Sequence, residues 1–179
     1  MGRVILASGS PRRRELLCSL CEFEVIVPDV EETECGDPKD VALNNAALKG
    51  RSIAEKADLI ISCDTLVALD GVIYGKPGNR ETAKKTLMIL SGRTHRVISG
   101  VCLRYGGGEE LYTVESEVTF RQLTEEDIDK YIDKCQPFDK AGAYGIQDGE
   151  IVSGYSGDYD NIVGLPLQRI REVILKLGL

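Results

Sequence analysis

Ser8-Gly-Ser-Pro-Arg-Arg-Arg14 sets two hydroxyls and three guanidinium groups at the point where an apolar run meets a proline. Backbone N–H groups at a helix start already favour anions, and arginine presents paired donors that match phosphate oxygens. A capped helix with solvated arginines has the same composition, so both readings stay open for this stretch. It is not a Walker loop, because the GxxxxGK[ST] spacing is absent. Asp64-Thr65 places a carboxylate inside apolar, strand-like sequence. An acid there is costly unless it is paired or holds a metal, so Asp64 could ligate Mg²⁺ or serve as general base on water; a turn aspartate between two strands is the alternative.

Three further stretches have the same character. Asp29-Val-Glu-Glu32 offers oxygen ligands for a hard cation, although a solvated acidic loop has this composition too. Gly75-Lys76-Pro77 puts a point charge for phosphate after a short strand, and Lys49 could do the same from within a helix; each is otherwise an exposed lysine. Asp139-Lys-Ala-Gly-Ala-Tyr-Gly-Ile-Gln147 combines small residues, which let a ligand approach the backbone, with an amide able to donate and accept at a base edge. A glycine-rich connection around a packed tyrosine would look alike. The sole histidine, His95, has no partner for a triad and reads as structural. Any hydrolysis must then lean on carboxylates and metal.

The elements that must position these residues follow from periodicity and punctuation. Val4–Ala7 and Phe23–Val27 read as strands flanking a helix that Ser10 caps, with Pro11 at its first position, running to about Leu20. Asp37-Pro38 opens a long helix to about Lys56. Asp58–Ser62 and Leu66–Leu69 read as two strands interrupted by Cys-Asp-Thr, and Asp70-Gly71 turns the second into a hairpin with Val72–Tyr74. A helix at Arg80–Leu90 precedes strands at Thr94–Arg104 and Glu110–Arg121. Thr124-Glu-Glu-Asp127 reads as a capping box, its helix running to about Asp133. Gly142–Gly164 should be loops with short strands, and Leu165-Pro166 starts an amphipathic C-terminal helix. The order is mixed, so the expectation is an α/β fold with a mixed sheet and flanking helices, in a single domain spanning residues 1–179.

Bulk composition narrows the classes. With 22 basic against 29 acidic residues the net charge is −7, which argues against a broad nucleic-acid face but suits a local basic pocket for a small anion. No apolar run approaches the roughly 18 residues of a membrane span, and MGRVILASGS is too short and polar for a signal peptide. A cytoplasmic protein is expected. Cys18 and Cys21 form a CxxC, but there is no second pair and only one histidine, so reduced, packed thiols are expected rather than zinc.

Taken together and in order, these segments resemble the Maf family of nucleotide pyrophosphatases. The resemblance rests on LASGSPRRRELL (Leu6–Leu17), VEE (Val30–Glu32), CDTLV (Cys63–Val67), GKP (Gly75–Pro77), SGRTHRV (Ser91–Val97), DKAGAYGIQ (Asp139–Gln147) and NIVGLPL (Asn161–Leu167). It implies an elongated mixed sheet in two lobes around a cleft, akin to inosine triphosphatase-like proteins, and hydrolysis of the α–β phosphate bond with Mg²⁺ or Mn²⁺. It implies catalytic roles for Asp64, Lys49 and Lys76, substrate contacts from Ser8, Arg12, Arg13, Thr65 and Gln147, and a metal held by Glu32 and Asp64. The nucleoside triphosphate would be the partner, with neither nucleic acid nor membrane, and a homodimer is left open. Arg12, Thr65 and Gln147 resemble the branch acting on dTTP, UTP and dUTP. A 7-methyl-GTP branch typically carries tryptophan, glutamine and glutamate instead; a regulator of septum formation is the non-enzymatic alternative. Ser62-Cys63 departs from the usual Gly-Ala, for which altered packing is the expectation.

Overall fold

The computed structural model describes residues 2–179. Its centre is one mixed sheet of seven strands: β1 (Val4–Ala7), β2 (Glu24–Ile26), β3 (Leu59–Leu69), β4 (Val72–Tyr74), β5 (Thr94–Tyr105), β6 (Gly108–Phe120) and β7 (Val152–Ser156). The order is β2-β1-β3-β5-β6-β7, with β4 added to β3. Pairing is parallel for β1 with β2 and β3, and antiparallel elsewhere. Six helices surround it: α1 (Pro11–Leu17), α2 (Pro38–Ser52), α3 (Arg80–Leu90), α4 (Glu125–Cys135), α5 (Tyr159–Val163) and α6 (Leu167–Leu177). The mixed α/β architecture is the one expected.

β3 corrects one reading. Where the sequence suggests two strands broken at Cys63-Asp64-Thr65, a single strand of 11 residues runs through. Its backbone pairs with β5 without interruption from Ile60↔Arg104 to Ala68↔Arg96, and the Asp64 charge is met by side chains rather than by leaving the strand. The helix ends also retract. α1 stops at Leu17 and α2 at Ser52, where Ile53 turns extended. The hairpin at Asp70-Gly71 forms as read, both residues taking positive φ. The capping box holds as well: the Thr124 hydroxyl accepts from Asp127 N–H, and the Asp127 carboxylate accepts from Thr124 N–H.

Strand alternation sorts β3 onto two faces. Leu59, Ile61 and Cys63 join Leu17 and the apolar stripe of α6, whereas Val67 and Leu69 join α3, α4 and Phe120. These two clusters share one face of the sheet at opposite ends of β3, which is what makes two lobes. The other face of β3 lies under α2, with Leu66 and Ala68 against Val41 and Ala42. α2 approaches very closely because Gly100 of β5 has no side chain; a Cβ there would collide with the Ala42 carbonyl.

His95 belongs to the core. Its Nε2 lies 2.9 Å from the Tyr144 hydroxyl, its ring meets Phe120 and Tyr144 edge-on, and its Nδ1 has no partner among the described residues. Burial pushes its pKa from the ordinary 6.5 down to about 4. The unfolded chain therefore binds a proton that the folded one refuses between these values, and stability falls as pH drops through that window. Full loss amounts to about 3 kcal/mol. Urea unfolding midpoints of the wild type and His95→Gln, compared from pH 7 to 4, should converge as pH falls; parallel curves would disprove the assignment.

Candidate active site

The cleft exists because one edge of β3 is incompletely covered. β5 occupies the other edge throughout. On the open side, β1 covers only as far as Ser62, and β4 begins at Val67. Residues 63–66 therefore border a notch between two strands, reachable from both faces of the sheet. The notch opens into a cleft of about 640 Å³ lined by Ser8, Arg12, Arg13, Glu32, Lys49, Asp64, Thr65, Lys76 and Gln147 among others. All nine residues singled out from the sequence thus meet in one place. The volume is within the usual range for small-ligand sites, roughly 300–1,000 Å³.

Asp64 is the most constrained of them. It is 6% exposed on the face beneath α2. One carboxylate oxygen accepts from Lys49 Nζ at 2.7 Å, the other from Asn45 Nδ2 at 3.0 Å. Asn45 and Lys49 are one turn apart on the same helix face, and that face is otherwise small, which lets both reach the strand. Burial alone would push the Asp64 carboxyl up. The Lys49 charge, the bonds from Lys49 and Asn45, and the Arg13 guanidinium outweigh it and hold the group below the ordinary carboxylate range. Asp64 is thus a buried carboxylate kept charged at neutral pH.

Lys49 also contacts Glu32 Oε2 at 2.7 Å, so a cation stands between two carboxylates. Asn45 completes this wall: its amide donates to Thr33 O and accepts from Thr33 N–H, fastening the acidic loop to α2. Glu32 and Asp64 could hold a hard cation, since their oxygens retain acceptor capacity beyond the Lys49 and Asn45 bonds. Among the described residues no group of three or more His, Cys, Asp or Glu could do so. An ion here would need oxygens from water or phosphate to complete its shell, which suits magnesium.

The opposite face of β3 carries Thr65, whose surroundings are crowded. Arg13 donates from Nε to Gly164 O (2.8 Å), from Nη1 to Cys63 O (2.6 Å) and Ser8 Oγ (3.3 Å), and from Nη2 to Thr65 Oγ1 (3.2 Å). Four of the bonds its five N–H groups can make are committed within the protein, so Arg13 clamps α1, β3 and the α5–α6 junction together at the cleft wall. The Thr65 hydroxyl lies 2.8 Å from Ser99 Oγ and 3.2 Å from Gly164 O. Ser10 occupies the N-cap position of α1, but its hydroxyl makes no capping bond; Ser8 Oγ instead accepts from Ser10 N–H.

The remaining cations line the far side. Arg12 sits 3.5 Å from Asp139. Lys76 is exposed on the rim and forms no ion pair among the described residues. Gln147 is exposed, at the end of a run of short 3₁₀ turns from Pro137 to Asp148. At Ser62-Cys63, Ser62 Oγ donates to Ala46 O, and Cys63 Sγ lies 3.4 Å from Gly164 O. Of the CxxC pair, Cys21 packs against the core while Cys18 faces solvent, so only one is a packing residue.

Asn45, Glu34 and Lys140 also line the cleft, and sequence reasoning did not single them out. The spacing of Asn45 and Lys49 was a usable signal. Nothing in sequence distinguishes Glu34 from its acidic neighbours.

A family model described as Maf-like protein matches residues 3–177. A dTTP/UTP pyrophosphatase of Phocaeicola vulgatus is 45% identical over 185 aligned positions, covering 98% of this chain and 96% of that protein. A dTTP/UTP pyrophosphatase of Bacillus cereus is 44% identical over 177 positions, covering 95% and 93%. Among solved structures, the Staphylococcus aureus Ham1 protein is similar with a TM-score of 0.47 and 17% identity, covering 66% of this chain and 71% of that one.

Proposed function

The chain belongs to the family of Maf-like proteins, and on that premise we propose that it hydrolyses dTTP and UTP, with dUTP and modified pyrimidine nucleotides as further substrates, to the monophosphate and pyrophosphate. One observation carries this reading: a buried, charged carboxylate, Asp64, gripped by Lys49 and Asn45 in the wall of a cation-lined cleft. The names of relatives about 45% identical over nearly their full length support it.

Asp64 orients a water and accepts its proton as the water attacks the α-phosphorus in line with the departing pyrophosphate. Lys49, already beside Asp64, offers positive charge to the phosphate chain as negative charge gathers on the leaving group. Lys76, which forms no ion pair among the described residues, and Arg12, 3.5 Å from Asp139, hold the outer phosphates. Arg13 works through shape, fixing Ser8 and Thr65 in the cleft wall. Gln147 faces the base, where thymine and uracil present an acceptor–donor–acceptor edge that an amide can match in part. Glu32 and Asp64 would hold a divalent cation, Mg²⁺ or Mn²⁺, which when bound neutralises phosphate charge and polarises the bond to be broken. Among the described residues no helix is long and apolar enough to cross a membrane.

A panel of nucleoside triphosphates including 7-methyl-GTP, assayed with and without Mg²⁺ or Mn²⁺ and resolved by chromatography, tests the assignment. dTTP and UTP should be turned over best, giving monophosphate and pyrophosphate. Diphosphate with orthophosphate would refute the reaction, and preference for 7-methyl-GTP would refute the branch.

A further inference from the structure

Asp148 lies next to Gln147 but outside the cleft lining, and it gathers a concentration of hydrogen bonds that the mechanism above does not use. Its Oδ2 accepts from the Tyr131 hydroxyl at 2.5 Å, from Lys140 Nζ at 3.0 Å and from Gly145 N–H at 3.2 Å. Tyr131, in α4, is 1% exposed and also accepts from Gly145 N–H at 3.1 Å. Lys140 and Asp148 are themselves mostly buried, with side chains 17% and 18% exposed. One carboxylate therefore ties both ends of the 140–148 loop to each other and to α4.

That loop needs tying. Gly142 and Ala143 both take positive φ, 68° and 60°, and for alanine this conformation is strained. Only a surrounding that over-determines the backbone keeps such a residue in place. The loop is also joined to the other side of the cleft rim: Gly142 N–H donates to Gly75 O at 3.2 Å, and Gly78 N–H donates to Phe138 O at 3.0 Å. Gly75 and Gly78 bracket Lys76. The loops that carry base-facing Gln147 and phosphate-facing Lys76 are thus joined by backbone hydrogen bonds, while Asp64, Lys49 and Asn45 are hydrogen-bonded among themselves.

We infer that Asp148, held by Lys140 and Tyr131, is a positioning residue that sets base selectivity from outside the cleft by fixing the loop that presents Gln147. This rests on the pyrimidine triphosphatase reading. Because Asp148 shares no hydrogen bond with Asp64, Lys49 or Asn45, loosening it changes how nucleotide is held far more than how its bond is broken. The effect differs from a general loss of structure, which lowers turnover of every nucleotide alike.

The test compares wild type, Asp148→Asn and Gln147→Ala on dTTP and dCTP, whose bases differ at the edge an amide reads. Asp148→Asn keeps the size but loses the charge that engages Lys140. Its KM for dTTP should rise about tenfold, the scale of a lost charge-assisted hydrogen bond, with kcat within about threefold of wild type, a ground-state effect. Its preference for dTTP over dCTP should fall toward that of Gln147→Ala. Tyr131→Phe, which lies outside the cleft and removes the hydroxyl that donates to Asp148, should shift selectivity in the same direction; Tyr131→Phe carries the test if Asp148→Asn fails to fold. A wild-type chain that turns over no pyrimidine triphosphate would refute the proposed function itself. A selective wild type whose folded Asp148→Asn or Tyr131→Phe variant keeps the same dTTP-to-dCTP ratio would refute the positioning role alone.

Discussion

Replacing Asp64 with asparagine should lower kcat by at least about 10²-fold, the scale of a lost general base, and leave the protein folded. Asparagine has nearly the same volume, so no cavity opens between β3 and α2. What changes is the charge and one acceptor. The side chain now receives hydrogen bonds from two donors, Lys49 Nζ and Asn45 Nδ2; an amide can accept from one of them and must turn its own NH₂ toward the other. Lys49 keeps Glu32 as a partner, so the lysine is not stranded, and the stability cost stays modest. The proton acceptor is gone. Steady-state kinetics on dTTP, with circular dichroism as the check on folding, decide the matter. A folded variant retaining more than a third of wild-type activity would mean that this carboxylate only braces the strand.

The reverse change, Lys49→Met, should be the more damaging one for stability. Asp64 is buried and keeps its charge chiefly because Lys49 stands against it. With the ammonium removed, burial has only the Asn45 bond and the Arg13 field to oppose it. Breaking a buried pair from one side typically costs about 3–5 kcal/mol, here near the upper part of what one substitution does. The Asp64 carboxyl, held below the ordinary carboxylate range in the wild type, should be driven upward in the variant. The variant then gains a proton on folding that the wild type does not. Its deficit in urea midpoint should be largest at neutral pH and narrow as pH falls toward the carboxylate range. Adding Asp64→Asn to Lys49→Met removes the uncompensated charge and should recover part of the lost stability while activity stays absent. A Lys49→Met deficit that is small, or that does not shrink with acid, would show that Asp64 draws little from the pair.

Both expectations depend on partners that local sequence signals in part. Asp64 stands out because a carboxylate interrupts LIISCDTLVAL, whereas Lys49 reads from the sequence only as a helix lysine that could meet phosphate or solvent. Their distance in sequence, 15 residues, hides the fact that one holds the other. Helix and strand periodicity located nearly every element, since amphipathic spacing, prolines at helix starts and Asp-Gly turns act locally. Periodicity misleads at β3, where a charged residue reads as a break between two strands. The charge is neutralised from α2, and no feature of residues 59–69 records that. His95 was legible as structural from its isolation, but its bond to Tyr144 was not, because β5 and the 137–148 loop meet only when the chain is folded.

By itself, then, the chain's sequence determined the mixed α/β class, the family and which residues were candidates for chemistry, because these depend on composition, short-range propensity and the order of motifs. Tertiary structure alone decided how those residues divide their work. It sets Asp64 and Thr65, neighbours in sequence, on opposite faces of one strand, and it commits Arg13 to hydrogen bonds within the protein. It opens the notch between β1 and β4 through which both faces of β3 reach one cleft, and it ties the loop that carries Gln147 to the turn that carries Lys76 through backbone bonds. Strand alternation separates Asp64 from Thr65 once β3 runs unbroken; the rest are long-range contacts whose partners are selected by the packing of whole helices and strands, so no window of residues along the chain contains them.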